Sequence, residues 1–229
     1  MTITIHRDLH QGSEEWLNAR LGLLTASEMK LIVTPTLKVA NNDKTRQHLF
    51  ELLAQRITRY VEPRYISDDM LRGIEDEIEA RELYEEFHSE GQPVEQVGFI
   101  TNDKWGFTIG YSPDALVGVD GAMEAKSRRM KYQVETIIVH AETGEVPTDY
   151  ILQLQTGLLV SERKWIDLVS FSGGLPLAVM RVYPDEKMQE AIVTAASEFE
   201  TTLLQKMETY NKATAGMVRT ERKERMEIL

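Results

Sequence analysis

Apolar residues recur every three or four positions through most of the first ninety residues, a spacing that places them on one face of a helix. The spacing is clearest in two segments, NDKTRQHLFELLAQRITRYV and SDDMLRGIEDEIEARELYEEFHSE. It also occurs over shorter lengths in GSEEWLNARLG, where Ser13 can cap the helix, and in TASEMKLIV, where Thr25 or Ser27 can do so. The pattern therefore predicts a mainly helical N-terminal part.

From Val94 onward the apolar segments become short and are separated by Gly, Pro or Asp, which is typical of antiparallel strands joined by tight turns. Four such segments follow one another: PVEQVGFI, WGFTIGYS, DALVGV and GAMEAKS. Helical spacing returns in DYILQLQTGLLVSER, two more strands follow, and a long helix begins near Asp185. This order predicts an α/β fold with a mixed central sheet flanked by helices. We expect a single domain over residues 1–229, with a charged tail or interaction segment over residues 217–229.

The composition is that of a soluble globular protein, because 42% of the 229 residues are hydrophobic and 28% are charged. No apolar run approaches the ~20 residues of a membrane span, and the N-terminus lacks the basic and apolar regions of a signal peptide. We therefore expect a cytoplasmic protein with no membrane partner. The absence of cysteine excludes disulfides and thiolate metal sites, so any metal ligands must be carboxylates, carbonyls, His or water.

The net charge of −11 argues against a surface that is basic throughout, although a local cationic channel is compatible with it. The densest basic segment is KSRRMKY, which contains Lys126, Arg128, Arg129 and Lys131. On charge alone, a solvated loop is the simpler interpretation of this segment.

The segment IGYSPDALVGVDGAMEAKS can bring three charged side chains together. Residues two apart in a strand share a face, so Glu124 and Lys126 point to the same side. If DALVGV and GAMEAKS pair through a turn at Asp120-Gly121, Asp114 lies beside one of them. Two neighbouring carboxylates repel each other unless a cation compensates, and a hard ion such as Mg²⁺ can do so. A metal there could activate water for phosphodiester cleavage, but Glu124 and Lys126 could equally form a simple ion pair without a function.

These residues resemble the PD-(D/E)xK nuclease motif, here Pro113-Asp114 followed by Glu124-Ala125-Lys126. Five segments also occur in the order and at the approximate spacing of the phage lambda exonuclease family, also called YqaJ-like viral recombinases: WLNARLGLLTASE, GIEDEIEAR, SPDALV, EAKS and YILQLQTGLLV. Together they span Trp16 to Val160, about two thirds of the chain. The resemblance implies a restriction-endonuclease-like core and a prophage-encoded protein in the cytoplasm of a bacterial host cell.

The resemblance also implies roles for the charged residues. Asp114, Glu124 and the backbone carbonyl of Ala125 would bind the metal, and Lys126 would be the catalytic lysine. Glu77 would complete the metal site directly or through a water. The implied cofactor is Mg²⁺, with two ions per site and Mn²⁺ as a substitute.

Glu77 is not the only acid in its helix that could complete this site. On the sequence alone, Glu75, Asp76 and Glu79 compete with it.

A pocket for a 5′ phosphate is implied at Arg20, Ser27 and Ser112, with Gln153 on its phosphate side and Tyr150 as a neighbour. Arginine offers a fork of donors that suits phosphate, and hydroxyl groups add further donors. Without the resemblance, Arg20 would be interpreted as a surface arginine and Ser27 as a helix cap.

The chain departs from the family in the loop TPTLKVANNDK, which contains no arginine where the family has one. Lys38 lies in this loop, but its point charge cannot reproduce a bidentate grip on phosphate. This departure bears on how strongly the chain selects a terminal phosphate.

The activity implied is that of a Mg²⁺-dependent 5′-to-3′ exonuclease on linear double-stranded DNA. It would release 5′-mononucleotides and leave a 3′ single strand for a single-strand annealing protein. The resemblance further implies a homotrimeric ring around DNA, with Arg128, Arg129 and Lys131 lining its channel. Two alternatives are a restriction-like endonuclease and a non-catalytic subunit that binds DNA ends.

Overall fold

Two β-sheets form the framework of the protein in a computed structural model, which describes residues 2–63 and 67–222. The smaller sheet has the strand order β1 (Ile3–His6), β4 (Phe99–Asn102), β5 (Ile109–Tyr111) and β2 (Leu24–Thr25). The larger has the order β3 (Val94–Glu95), β6 (Ala115–Val117), β7 (Gly121–Ser127), β8 (Trp165–Phe171) and β9 (Ala178–Val182). Neighbours in the larger sheet are antiparallel except β7 and β8, which are parallel. The sheet is therefore mixed, and the predicted α/β class is confirmed.

The helices lie between and after these strands. They are α1 (Glu14–Arg20), α2 (Asp43–Thr58), α3 (Asp68–Phe87), α4 (Met130–Glu135), α5 (Thr148–Ser161) and α6 (Glu186–Ala213). A short 3₁₀ helix spans Ala26–Leu31, and a π-helix, Thr136–Ala141, continues from α4. Ser13 caps α1 as expected, because its hydroxyl accepts a hydrogen bond from the Trp16 amide at 3.2 Å.

The two faces of the larger sheet are covered by different helices. On one face, Ala80 and Tyr84 of α3 pack against Met123 and Ala125 of β7. The other face packs against the apolar side of α5 and α6, which includes Leu154. Since side chains alternate along a strand, Glu124 and Lys126 point to the face opposite α3. Strand β7 thus carries two charged residues into the side of the sheet covered by α5.

The N-terminal part differs from the helical prediction at two short strands, β1 and β2. Thr25 pairs with Gly110 of β5 in parallel, so it lies in a strand and gives no side-chain cap to the 3₁₀ helix that follows. Here a tertiary pairing overrides the local helical preference. The interpretation of KSRRMKY as a loop holds only for Arg128 and Arg129, since β7 extends to Ser127 and α4 begins at Met130.

The end of the chain is described only in part. Residues 217–222 form neither helix nor strand, and residues 223–229 of the predicted charged tail lie outside the described residues. No helix in the described ranges is long and apolar enough to cross a membrane.

Candidate active site

A hairpin of β6 and β7 places the central acidic residues. Its register joins Ala115 to Met123 and Val117 to Gly121, so Asp114 and Glu124 are the next facing positions. The pairing expected from the sequence is confirmed, although the connecting loop spans residues 118–120 instead of a turn centred on Asp120-Gly121.

Glu124 is buried and accepts hydrogen bonds on both carboxylate oxygens. Lys126 Nζ lies 2.8 Å from Oε1, and the Gln153 side-chain amide donates to the same oxygen. The Tyr111 hydroxyl donates to Oε2 at 3.2 Å. Burial and then the nearby carboxylates of Glu124 and Asp114 raise the pKa of Tyr111 well above its usual value, so its hydroxyl keeps its proton.

Asp114 is also buried, and its Oδ2 accepts a hydrogen bond from the Ala125 amide at 2.6 Å. Burial, followed by the charges of Glu124 and Glu77, raises the pKa of Asp114 well above its usual value. Lys126 and the Ala125 amide act in the opposite direction but do not cancel this rise. With both carboxylates ionised, the site would hold more negative charge than its one lysine compensates.

Lys126 is held in its charged form by the same carboxylates. Burial alone would lower the pKa of Lys126, but the charges of Glu124 and Asp114 outweigh it and the pKa is raised. A lysine with a raised pKa acts as a fixed cation and hydrogen-bond donor, not as a general base.

Glu77 on α3 approaches this group from the side. Burial raises the pKa of Glu77; the charge of Arg81, whose Nη1 lies 3.3 Å from Oε1, lowers it, and that of Glu124 raises it again. The charge of Glu77 also raises the pKa of Asp114, so the two carboxylates interact across the site. This interaction favours Glu77 over its neighbours for the metal role, which stays a prediction.

The three competing acids of α3 have other surroundings. Asp76 accepts a hydrogen bond from the Ser127 hydroxyl, while Glu75 and Glu79 are exposed. Asp76 thus joins α3 to Ser127, the last residue of β7, which directly follows Lys126.

The donor atoms suit a hard divalent cation, because Asp114, Glu124 and the Ala125 carbonyl all offer oxygen. The raised pKa of Asp114 fits the same interpretation, since an added cation would relieve the excess negative charge. Within the described ranges, however, no three acidic or histidine side chains are close enough together to form a ready metal-binding group. Glu77 therefore interacts with the two buried carboxylates through its charge without completing a cluster.

The predicted phosphate pocket is assembled around Arg20. Its Nη1 donates to the Ser112 hydroxyl at 3.0 Å and its Nη2 to the Thr25 hydroxyl at 3.4 Å. The guanidinium lies 4.2 Å from the centre of the Trp16 ring, whose Nε1 donates to Ser112 at 3.1 Å. The exposed Ser27 joins the group through its hydroxyl, 3.4 Å from that of Thr25.

Thr25 and Trp16 are members of this pocket that the sequence interpretation missed. Both had a usable signal: Trp16 precedes Arg20 by one helical turn, and Thr25 stands two residues before Ser27. Strand β2 brings Thr25 close to Ser112, because Thr25 pairs with Gly110 and Ser112 follows the end of β5, while Trp16 reaches Ser112 from α1.

Helix α5 places Gln153 and Tyr150 beside the group formed by Glu124 and Lys126. Gln153 binds Glu124 and has no phosphate-pocket contact among those described, whereas Gln155 faces away and binds the Tyr183 carbonyl and the Asp185 amide. The Tyr150 hydroxyl accepts a hydrogen bond from Arg128 Nη1 at 2.6 Å, and its ring lies 5.7 Å from Lys126 Nζ.

The remaining predicted DNA-binding residues are not gathered at this centre. Arg129 and Lys131 are exposed at the start of α4, with Lys131 Nζ 4.5 Å from the Tyr132 ring centre. Lys38 is exposed in its loop, where its amide donates to the Thr34 hydroxyl at 3.0 Å. Their contact with DNA stays a prediction.

A comparison with protein families decides where the chain belongs. A model of the YqaJ-like viral recombinase domain matches residues 15–164, more than half of the sequence. The chain belongs to this family. The resemblance drawn from the five segments is therefore confirmed, while a prophage origin stays a prediction.

Solved structures show the same relationship for this YqaJ-like protein. The alkaline exonuclease LHK-Exo from Laribacter hongkongensis is 31% identical, with a TM-score of 0.77 over 90% of this chain and 100% of that one. LHK-Exo in complex with dAMP matches with a TM-score of 0.78 at the same identity and coverage. A phage-related exonuclease from Haemophilus somnus 129PT shares the fold, at 14% identity and a TM-score of 0.55 over 81% of this chain and 96% of that one. Among curated proteins, no sequence matches the chain.

The family and LHK-Exo together support a DNA exonuclease, a hydrolase of phosphodiester bonds. Nucleases of this kind generally use divalent metal ions. The nuclease class and the fold expected for the YqaJ-like protein are thus confirmed.

Proposed function

We propose that the protein is a Mg²⁺-dependent 5′-to-3′ exonuclease that acts on linear double-stranded DNA. It releases 5′-mononucleotides and leaves a 3′ single strand for recombination by strand annealing. The observation that carries this proposal is the position of Ser112 beside Arg20 and of Asp114 beside Glu124. Ser112 and Asp114 are two positions apart, so their Cα atoms are separated by at most about 7 Å.

Such a short step suits the removal of one nucleotide at a time. A terminal phosphate bound by Arg20 and Ser112 would place the adjacent phosphodiester bond close to the carboxylates. LHK-Exo, which forms a complex with dAMP, binds a mononucleotide of the kind expected as the product.

The residues of the chain divide the work between holding the DNA and stabilising charge. Arg20 supplies the fork of donors for the terminal phosphate, and the Ser112, Thr25 and Ser27 hydroxyls surround it. Lys126, kept protonated by Glu124 and Asp114, offsets negative charge that develops on the scissile phosphate.

The carboxylates and one carbonyl would hold the metal. Asp114, Glu124 and the Ala125 carbonyl would hold two Mg²⁺ ions, or Mn²⁺ in their place, with Glu77 as a direct or water-mediated ligand. When bound, these ions polarise the phosphate and lower the pKa of a coordinated water. The hydrogen bonds from Tyr111 and Gln153 hold the Glu124 carboxylate in place for this role.

We also propose that three copies of the chain form a ring around the duplex, with Arg128, Arg129 and Lys131 lining the channel. Basic residues inside and acidic residues outside would let a protein with a net charge of −11 bind a polyanion. Lys38 would contact DNA from the loop in which it is exposed. A single-strand annealing protein would then receive the 3′ strand, and residues 217–229 could dock it or join subunits.

The direct test uses linear duplex DNA labelled separately at each end and on each strand, incubated with and without Mg²⁺. We expect labelled mononucleotides from the 5′ end of each strand, only with metal. Release from 3′ ends would contradict the direction, and cleavage of closed circular DNA would instead identify an endonuclease. Binding of ends without any release would identify a non-catalytic subunit.

A further inference from the structure

The chain turns sharply directly after Arg20, before it enters β2. The Leu23 amide donates to the Arg20 carbonyl at 3.0 Å, and Leu21 has φ −53° and ψ 117°. Gly22 follows with a φ of +68°, so the four residues form a type II turn with glycine at its third position. The geometry of this turn sets the distance between Arg20, at the end of α1, and Thr25 in β2.

Both polar backbone groups of Gly22 are held by consecutive residues of α2. The Gly22 amide donates to Gln55 Oε1 at 2.8 Å, and Arg56 Nε donates to the Gly22 carbonyl at 2.7 Å. A side chain at Gly22 would lie 2.5 Å from Arg56 Cγ, so the arginine fills the space beside the glycine. Helix α2 therefore holds the backbone of the turn on both sides of the Gly22 Cα atom, at the N–H donor and at the carbonyl acceptor.

Arg56 is itself fixed by a residue 144 positions away. Its Nη1 and Nη2 donate to the two carboxylate oxygens of Glu200 on α6 at 2.9 and 2.7 Å. Glu200 is buried, with 6% of its surface exposed. The guanidinium thus uses its two terminal nitrogens on α6 and its Nε on the turn, a geometry that lysine could not provide.

A buried ion pair between two helices carries an unfavourable free energy of desolvation. Burying the charges costs hydration energy, and apolar residues of similar volume join helices as well or better. The Nε contact to Gly22 is what apolar residues could not supply. The pair therefore does more than pack α2 against α6.

We propose that Gln55, Arg56 and Glu200 act as a positioning clamp for the terminal-phosphate pocket. By fixing the Gly22 peptide, they set the approach of Arg20 to its partners Ser112 and Thr25. This inference rests on the proposed function of that pocket, and none of the three clamp residues contacts DNA in it.

The test measures kcat/KM on duplexes with a 5′ phosphate and with a 5′ hydroxyl, and takes their ratio. Arg56→Met should lower the ratio between about tenfold and a hundredfold, because a small displacement of a binding group has effects of that size. The loss should appear mainly as a higher KM for the phosphorylated end. Gln55→Met, which removes only the bond to the Gly22 amide, should lower the ratio less but in the same direction.

The double variant Arg56→Met with Glu200→Met separates positioning from stability. Two apolar residues should restore much of the Tm that Arg56→Met alone loses, because no charge is left buried without a partner. The ratio should stay low, since the Gly22 carbonyl still lacks its donor. A ratio that recovers together with Tm would overturn the clamp.

A matched control exists elsewhere in the chain. Arg181 forms a comparable bidentate pair with the buried Asp167. Neither residue shares a described hydrogen bond with Gly22 or with the three clamp residues. Arg181→Met should lower Tm but leave the ratio unchanged. An equal fall of the ratio in this variant would show that general instability is the cause and would overturn the inference.

Arg20→Ala distinguishes a failed clamp from a failed pocket. If Arg20→Ala leaves the ratio at the parent value, or if the parent shows no preference, the phosphate pocket is wrong and the inference falls with it. If Arg20→Ala abolishes the preference while Arg56→Met keeps it, the pocket stands and the clamp alone is overturned.

Discussion

Asp167 and Glu124 are buried carboxylates on neighbouring strands, and they show two ways of handling charge inside the sheet. Asp167 on β8 faces α3, where the Tyr84 hydroxyl donates to it at 2.6 Å. Arg181 on β9 makes two hydrogen bonds of 2.8 Å to its two oxygens. One negative charge meets one positive charge with good geometry, so this cluster is balanced.

Glu124 on β7 has a similar set of partners on the opposite face. A tyrosine hydroxyl and a cation again bind it, here Tyr111 at 3.2 Å and Lys126 at 2.8 Å. The difference is Asp114, a second buried carboxylate whose pKa burial and its acidic neighbours raise well above the usual value. The balanced cluster joins elements of the fold, whereas the unbalanced one pairs two buried carboxylates with a single lysine, as the proposed metal site requires.

Breaking the balanced cluster should have the largest effect on stability. Arg181→Met leaves Asp167 buried without its cation, which should lower the free energy of unfolding by about 3–5 kcal/mol. Urea denaturation followed by circular dichroism measures the loss. The double variant with Asp167→Met should recover most of it, and a double variant as unstable as the single one would contradict charge balance as the cause.

Removing the cation of the unbalanced cluster should instead affect catalysis. Lys126→Ala should lower kcat by at least about 10²–10³-fold, since one donor that stabilises transition-state charge is worth that much. Nucleotide release from 5′-labelled duplex measures the effect. Lys104→Ala is the matched control, because Lys104 pairs with Glu162 at the surface, 2.8 Å apart. Equal activity of the Lys126 and Lys104 variants would contradict the assignment.

Neutralising the second carboxylate should raise stability while it abolishes activity. Asp114→Asn removes a charge that the folded protein tolerates poorly, so the metal-free variant should gain about 1–2 kcal/mol at pH 8. Because the folded pKa is raised, the carboxyl binds its proton more tightly when folded, and the wild type loses stability as the pH rises above about 4, the unfolded value. The gain should therefore shrink toward zero as the pH falls to about 4.

Thermal unfolding in chelator from pH 4 to pH 8 tests this difference. Adding Mg²⁺ at about 100 times its Kd should stabilise the wild type by about 2.7 kcal/mol and the Asp114→Asn variant by less. A variant that is less stable than the wild type at pH 8 would show that Asp114 is already compensated.

The unbalanced site was largely predictable because its members are close in sequence. The alternation in GAMEAKS places Glu124 and Lys126 on one face, and the hairpin brings Asp114 opposite. The alternation of Glu124 and Lys126 along β7 and the short loop between β6 and β7 determine this geometry. The local sequence pattern is therefore sufficient to predict it.

The support around the site could not be predicted in the same way. Tyr84 and Asp167 are 83 positions apart, and Arg56 and Glu200 are 144 apart. Each of these residues suits a helix or strand surface by itself, and their pairing follows only from tertiary packing. Strand β2 was missed for a related reason, since its two residues are too few to show a period.

Two matched tyrosine variants compare the clusters at the finest level. Tyr84→Phe removes a 2.6 Å bond to a carboxylate in a balanced pair, and Tyr111→Phe removes a longer, 3.2 Å bond to Glu124, which keeps Lys126 and Gln153 as donors. Tyr84→Phe should therefore cost about 1 kcal/mol more in the free energy of unfolding. Urea denaturation of both variants in chelator gives the difference, and nucleotide release should fall in Tyr111→Phe alone. If the two variants lost equal stability and equal activity, the contrast between a structural and a catalytic carboxylate would not hold. The Tyr84 and Tyr111 hydroxyls would then contribute equally to stability and to nucleotide release.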